Sequence, residues 1–368
     1  MAIEDILMYD ESLFQNINAF DPDYFPPNYN FRDTQMEAMA MAIRPAMRGG
    51  QPSNAVVLGS PATGKTTAIK KVFELVEKNT EKVVCVYINC QLHTTRFGIF
   101  SIIHKEIFGH APPETGVPFS RIYDKIMKYL QSNQKSLVVA LDDINYLFQS
   151  KNANKLVYDL LRAYEEYPGV KNSIFAILSD LEFKYAFDKN VNTVFIPQEI
   201  VFPLYTYSEI EDILRDRVKA GFFPNVMSDD ILEQIAMYAL ENGDLRIGFN
   251  LLRSCGNIAE ADASREINQE HFEKAVDSLV SVDISVALKS LNDVERTVMK
   301  MIVNTEGLCD AKILSDQFKK ETGSSYASFN RALDKLEFIR LIDTKYTGKG
   351  VRNSREIILR FNPDEYII

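Results

Sequence analysis

The chain has 368 residues, 46% hydrophobic and 25% charged, which is ordinary for a globular protein and enough for two or three domains with real cores. No stretch approaches the ~18 apolar residues of a membrane helix, and the acidic start MAIEDILMYDESLF lacks the basic region of a signal peptide. A net charge of −10 argues against wholesale coating of nucleic acid, and the scattered cysteines and histidines offer no metal-ligand spacing and fit a reducing, cytoplasmic setting.

Residues 1–20 read as a loosely packed arm, followed by a turn-rich stretch, DPDYFPP (21–27). A helix is expected over 32–47, with an apolar row at Met36, Met39, Ala40 and Ile43. NAVVLG (54–59) predicts a buried strand, 66–78 a helix, and VVCVYIN (83–89) a second strand, with Cys85 and Cys90 as buried free thiols. Helices are expected over 97–108, 120–132 and 155–167. Further strands are SLVVALDD (136–143), SIFAILSD (173–180) and one within 193–203. Apolar runs without alternation are buried on both faces, and alternating strands and helices predict a parallel sheet covered on both sides. After Pro203 the period becomes helical, with helices over 208–220, 228–240, 244–261 and 268–279. From Asn292 a third region begins. Its first helix has apolar positions Leu291, Val294, Val298, Met301 and Ile302, and further helices cover 311–322 and 326–339, the last capped by Ser324-Ser325. Two runs flanking Gly348-Lys349-Gly350 make the end, 341–361, hairpin-like.

Gly59-Ser60-Pro61-Ala62-Thr63-Gly64-Lys65-Thr66 fits G-x-x-x-x-G-K-[ST] between a predicted strand and a predicted helix. Each part has a task. The glycines let backbone N–H groups turn onto phosphate oxygens, the lysine reaches the terminal phosphates, and the threonine hydroxyl holds Mg²⁺. The helix opening at Lys65 adds its positive end, beside Thr67. Such a site also needs an acid at a neighbouring strand end, and LVVALDD supplies Asp142 for the metal and Asp143 where a group polarising the attacking water often sits. The chain therefore reads as a binder of ATP or ADP with Mg²⁺.

Together these residues resemble the AAA+ ATPases, and within them the archaeal ORC/CDC-type DNA replication initiators, over nearly the whole length. The resemblance implies an α/β AAA+ base with a P-loop parallel sheet (21–204), a helical lid (205–285) and a winged-helix DNA-binding domain (286–368) behind an N-terminal arm (1–20). An aromatic-proline turn and an R-x-x-Q pair precede the P-loop in the family, which would place Tyr24, Phe25, Arg32 and Gln35 near the adenine. EIVFPLYTYSEIEDILRDR (199–217) resembles the approach to the lid, with Tyr205 beside the nucleotide. ENGDLRIGFNLLR (241–253) resembles the sensor-2 helix, with Arg246 reaching the γ-phosphate. Three departures touch hydrolysis and none touches binding. The acidic pair is Asp142-Asp143 where the family usually has Asp-Glu; Ser179 replaces the sensor-1 asparagine; and DKNVNT (188–193) carries Asn190 and Asn192, with only Lys189 as a charge, where the family shows arginines. The expectation is a nucleotide switch with weak hydrolysis at Asp142, Asp143, Ser179 and Arg246, because γ-phosphoryl transfer needs a positioned water and an arginine-like cation.

Residues 286–368 resemble a winged helix. Between Lys319 and Arg360 ten Lys and Arg face five Asp and Glu, a local balance of +5 in an acidic chain. Its third helix would offer Ser325, Ser328, Asn330 and Arg331 to the major groove, and its wing Lys345, Lys349, Arg352 and Arg355 to phosphates or the minor groove. The family also inserts a DNA-touching segment into its base, for which 94–116, with Arg96 and Lys105, is the candidate. The leading expectation is an ATP-switched protein that binds duplex DNA at replication origins and helps recruit the replicative helicase, without a membrane partner, monomeric in solution and assembling on DNA. Two alternatives stand beside it: a regulatory P-loop ATPase whose winged helix binds protein, and a motor or clamp-loader ATPase, against which the missing arginines argue.

Overall fold

The computed structural model describes residues 12–27, 29–113, 116–149, 153–179, 188–305, 308–339, 341–347 and 354–359. The arm before residue 12 and the wing tip, with Lys349 and Arg352, lie outside them. The chain packs as two units, Met1–Gly256 with Ser264–Ile267, and Asn257–Ala263 with Asn268–Ile368.

The first unit is built on a parallel sheet of β1 (Ala55–Leu58), β2 (Val83–Asn89), β3 (Ser136–Asp142), β4 (Lys171–Leu178) and β5 (Gln198–Val201), in the order β2-β3-β4-β1-β5. Alternate residues of the same strands serve opposite cores. Val56, Leu58, Val86, Ile88, Val139, Leu141 and Ala176 face the helices α3 (Arg96–Phe108), α4 (Phe119–Ser132) and α6 (Ala153–Leu161). Ala55, Val57, Cys85, Val138, Ala140, Phe175 and Ile177 face α1 (Asp33–Met47) and α2 (Lys65–Asn79). Burial on both faces explains why these strands lack polar alternation. Cys85, Cys90 and Cys255 are buried free thiols, and burial pushes the Cys255 thiol up to about 12.

In the first unit several details depart from the sequence expectation. A short helix α5 (Asn145–Gln149) follows the acidic pair, and the single helix expected over 155–167 is two pieces, α6 and α7 (Ala163–Glu166). The chain tightens at Arg162, whose carbonyl accepts from Glu165 N three residues on, and Tyr167 turns inward to donate to Asp124 at 3.0 Å. A one-turn helix α8 (Lys189–Asn192) precedes β5.

Past β5 the lid begins. A capping box between Thr206 and Glu209 starts α9 (Tyr207–Gly221), which packs on α10 (Asp229–Asn242), and α11 (Leu245–Ala261) follows. Residues 12–20, expected as part of a loosely packed arm, are instead fastened to this lid, because Phe14, Ala19 and Phe20 are buried. Gln15 N and Asn16 N donate to the Gly221 carbonyl at 2.8 and 3.0 Å, and Phe14, Phe20 and Phe222 stack with centroids 4.6–5.9 Å apart. The glycines permit this packing: a Cβ at Gly221 would strike the Phe20 ring, and one at Gly256 would strike Phe14 and sit 2.8 Å from Phe222.

In the second unit α12 (Gln269–Lys289) runs unbroken across position 285/286, where the sequence reading divides two domains. Helices α13 (Asp293–Val303), α14 (Ala311–Thr322) and α15 (Tyr326–Phe338) then pack with an antiparallel sheet of β6 (Leu308–Asp310), β7 (Ile342–Thr347) and β8 (Ser354–Leu359), ordered β6-β8-β7. Three helices and a β-hairpin with a third short strand make a winged helix. The short β6 escapes sequence reading because three residues carry no period. Under α13, Glu295 is 6% exposed. Burial alone would raise its carboxyl, but hydrogen bonds from Lys335 Nζ at 2.8 Å and Asn292 N at 2.9 Å outweigh that and hold it low.

Gly221→Ala should lower stability by about 1–3 kcal/mol in thermal melts, although alanine is the better helix former, because the aromatic cluster has no room for a methyl. Glu295 adds stability above its ordinary value of 4.5 that is lost as pH falls through its lower folded value. Unfolding of the C-terminal unit should therefore become easier with acid below about pH 4.5, and Glu295→Gln should flatten that dependence.

Candidate nucleotide-binding site

A parallel sheet delivers its strand C-termini to one edge, and that edge carries the chemistry. β1 ends in the loop 59–64, β3 ends at Asp142, and β4, whose Leu178 pairs with Leu58, ends one residue before the exposed Ser179. Gly59 (φ 157°) lies against the Phe202 backbone, where a Cβ would collide. Gly64 (φ 90°) lies beneath the hydroxyls of Tyr29 and Tyr205, which a Cβ would also strike. These two positions require glycine.

Lys65 is buried and its ammonium donates to the carbonyls of Gly59 at 2.7 Å and Ser60 at 2.9 Å, holding the cation over the loop. Burial lowers its pKa, opposed by Asp142 and Asp143. Thr66 Oγ1 donates to Asp142 Oδ2 at 2.6 Å, so the two residues assigned to the metal meet across the intervening strand. The same oxygen accepts from Tyr87 at 2.7 Å, and Asp142 Oδ1 accepts from Asp143 N at 3.1 Å. Asp143 adopts a left-handed φ of 53°, and burial, with Asp142 alongside, pushes its carboxyl up. A hydroxyl and a carboxylate with a second carboxyl next to them form the hard oxygen donor set that Mg²⁺ takes.

The loop opens into a cleft of about 610 Å³. Its floor is Ala62 to Thr67, its walls include Tyr24, Phe25 and Tyr205, and Ile213, Arg217, Leu245, Arg246 and Phe249 come from the lid. Arg246 is part of this lining. Its Nη2 and Nε bind Asp244 at 2.7 and 3.0 Å, and its charge is felt at Lys65 and Asp143. Two residues placed near the adenine by resemblance lie elsewhere. Arg32, 2% exposed, is behind the wall, bonded to the carbonyls of Phe31, Thr63 and Pro203, and Gln35 Nε2 donates to Val201 O at 3.2 Å. Backbone acceptors capture both side chains before they reach the cleft.

Three residues escaped the sequence reading. Tyr29 donates to Gly64 O at 2.6 Å, and burial raises its phenol far above the ordinary range. Tyr87 is the one aromatic residue of β2, a diagonal neighbour of Asp142 on the paired strand. Arg217 interrupts the buried row Ile210, Leu214, Gly221 of α9, and that interruption was the available signal. Its guanidinium lies 4.5 Å from the Tyr24 and Phe249 ring centroids, donates to Ala19 O at 2.8 Å, and is pushed down to about 10 by burial.

In the C-terminal unit Ser325 caps α15 by accepting from Ser328 N at 3.3 Å, Ser328 and Asn330 are half-buried, and Arg331 is exposed. Arg355 is not free for phosphate as expected: its guanidinium binds Asp334 at 2.9 Å and Glu337 at 2.6 Å on α15. The side chain of Lys345 lies outside the described residues. Of the candidate base-domain insertion, Arg96 pairs with Asp159 and stacks 3.6 Å over the Phe119 centroid, while Lys105 is exposed. No helix among the described residues is long and apolar enough to cross a membrane.

A profile of the AAA ATPase domain matches residues 30–166, and one of the Cdc6 AAA+ ATPase-type lid domain matches residues 211–277. The ORC1-type DNA replication protein 2 of Methanothermobacter thermautotrophicus is 60% identical over 364 residues, covering 99% of this chain and 96% of the relative. Its namesake in Methanosarcina acetivorans is 40% identical over 358 residues, covering 97% and 96%. The Aeropyrum pernix ORC1 protein, solved in complex with DNA, superposes with a TM-score of 0.72 at 24% identity over 97% of this chain and 96% of that one, which shows a shared fold. Identity of this extent over nearly the full length decides membership: the chain belongs to the ORC1-type DNA replication proteins, AAA+ ATPases of origin recognition.

Proposed function

We propose that this protein is an ATP-switched origin binder. ATP with Mg²⁺ is held between base and lid, and the C-terminal winged helix grips duplex DNA at a replication origin, where the complex helps recruit the replicative helicase. The observation that carries the nucleotide half is the Thr66–Asp142 pair at 2.6 Å beside a loop whose two ends, Gly59 and Gly64, admit only glycine. Lys65 and Arg246 would take phosphate, Thr66 and Asp142 the metal, and Tyr24, Phe25, Arg217 and Phe249 would enclose the base. Magnesium, when bound, neutralises phosphate charge. The chain's own residues orient the phosphates, and the lid screens them from water.

Hydrolysis is slow in this account. Asp143, one methylene shorter than glutamate, sits on a left-handed backbone, so its carboxylate reaches less far towards an attacking water. The DNA half rests on family membership, on the winged helix and on Arg331 at the exposed side of α15. The protein works in the cytoplasm, associated with the nucleoid, as a monomer that assembles on DNA.

Lys65→Ala should weaken ATP and ADP binding at least tenfold by calorimetry, since a charged hydrogen bond is worth ~1.5–3 kcal/mol, while the nucleotide-free protein still folds and melts cooperatively. Unchanged affinity would remove the loop from the account. On DNA, Arg331→Ala should reduce discrimination between origin and random duplex by about 1–3 kcal/mol. Arg355→Ala should act mainly on stability, through its lost bonds to Asp334 and Glu337. Concentration-dependent assembly without any duplex affinity would instead favour a winged helix that binds protein.

A further inference from the structure

Arg32 is among the most deeply buried large side chains of the first unit, and it does not touch the cleft. Its Nε donates to Thr63 O at 3.0 Å, on the back of the phosphate loop, and its Nη2 donates to Pro203 O at 2.9 Å, in the link between β5 and the lid helix α9. The guanidinium plane lies 3.7 Å from the Tyr205 centroid, in the same link. The Tyr205 and Tyr29 hydroxyls lie side by side above Gly64, and Tyr29 donates to Gly64 O at 2.6 Å. The phosphate loop and the lid link are thus joined twice, through the guanidinium and through the paired phenols.

The backbone shows strain at the same place. Phe31 has φ 68°, a left-handed conformation that is strained for a bulky L residue, and its carbonyl accepts from Arg32 Nη1 at 3.0 Å. Such strain persists where the surroundings over-determine the conformation, and three carbonyls bound by one guanidinium do so. The segment's other end is fixed to the lid, where Arg217 donates to Ala19 O and Tyr24 O. The stretch that walls the cleft is therefore held by the lid at one end and by the phosphate loop at the other.

We infer that Arg32, with Tyr29 and Tyr205, is a positioning residue that ties the angle of the lid to the shape of the phosphate loop. Rotation about the 203–206 link moves Pro203 and Tyr205 against the guanidinium; the Thr63 carbonyl follows because it is bound to the same guanidinium, and the Gly64 carbonyl through Tyr29, whose hydroxyl lies beside that of Tyr205. The inference rests on the nucleotide reading of the cleft.

The test uses full-length protein with fluorophores at exposed base and lid positions, Glu81→Cys and Met237→Cys in a Cys309→Ser background, the other three cysteines being buried. A non-hydrolysable ATP analogue and ADP are each titrated to saturation. In this parent the two nucleotides should give different base–lid distances. Tyr29→Phe and Arg32→Lys should bind about three- to tenfold more weakly and, at saturation, lose most of that difference. A purely structural role would lower stability yet leave the saturated distances as in the parent, and that result overturns the inference. So does a parent that binds both nucleotides without a distance difference. A parent that binds neither fails the cleft reading itself. Should Arg32→Lys not fold, Tyr29→Phe, which removes one oxygen, decides alone.

Discussion

Everything in the site depends on one short hydrogen bond from Thr66, in the first turn of α2, to Asp142, at the end of β3, formed across the strand β4 that separates β1 from β3 in the sheet. It exists because parallel strands end on the same edge, and because a glycine-lined loop lets α2 begin directly at that edge. Each further feature serves that pair or the space in front of it. Tyr87 fixes the carboxylate from the neighbouring strand, Lys65 lies over the loop, and the lid closes the cleft with Arg246 and Phe249.

The cleft is positive within an acidic protein. Three buried cations surround it, and their hydrogen bonds run to backbone carbonyls: Gly59 and Ser60 for Lys65, Phe31, Thr63 and Pro203 for Arg32, and Ala19 and Tyr24 for Arg217. Carbonyl dipoles satisfy a buried cation without cancelling its charge as a carboxylate would. The field left over suits a polyphosphate. The net charge of −10 therefore gives no guide to what the cleft takes. The winged helix shows the reverse effect: its ten basic residues between Lys319 and Arg360 overstate the cations free to meet a partner, since Lys335 is bound to Glu295 and Arg355 to Asp334 and Glu337.

Much of this was legible in the chain. Strands buried on both faces carry unbroken apolar runs, so β1 to β4 read to within a residue or two, and the phosphate loop, Asp142 and Arg246 follow from spacing and resemblance. What failed to read depends on backbone carbonyls, which have no letter in the sequence. Arg32 was read as facing the nucleotide because an arginine is assumed to seek an anion, whereas here three carbonyls hold it. Tyr29 and Arg217 act through the same kind of partner. Arg355 misled for a related reason: its acidic partners stand 18 and 21 residues away on another element. The break at Arg162 and the three-residue β6 lack a period long enough to detect.

The most direct measurement is a structure of the full chain with magnesium and a non-hydrolysable ATP analogue. The account predicts terminal phosphates against the backbone of 60–65, the Lys65 ammonium on a phosphate oxygen, the metal between Thr66 and the Asp142 side, and the base between Tyr24 and Phe249. A nucleotide bound elsewhere, or Lys65 still on the Gly59 and Ser60 carbonyls with no phosphate beside it, would contradict the account.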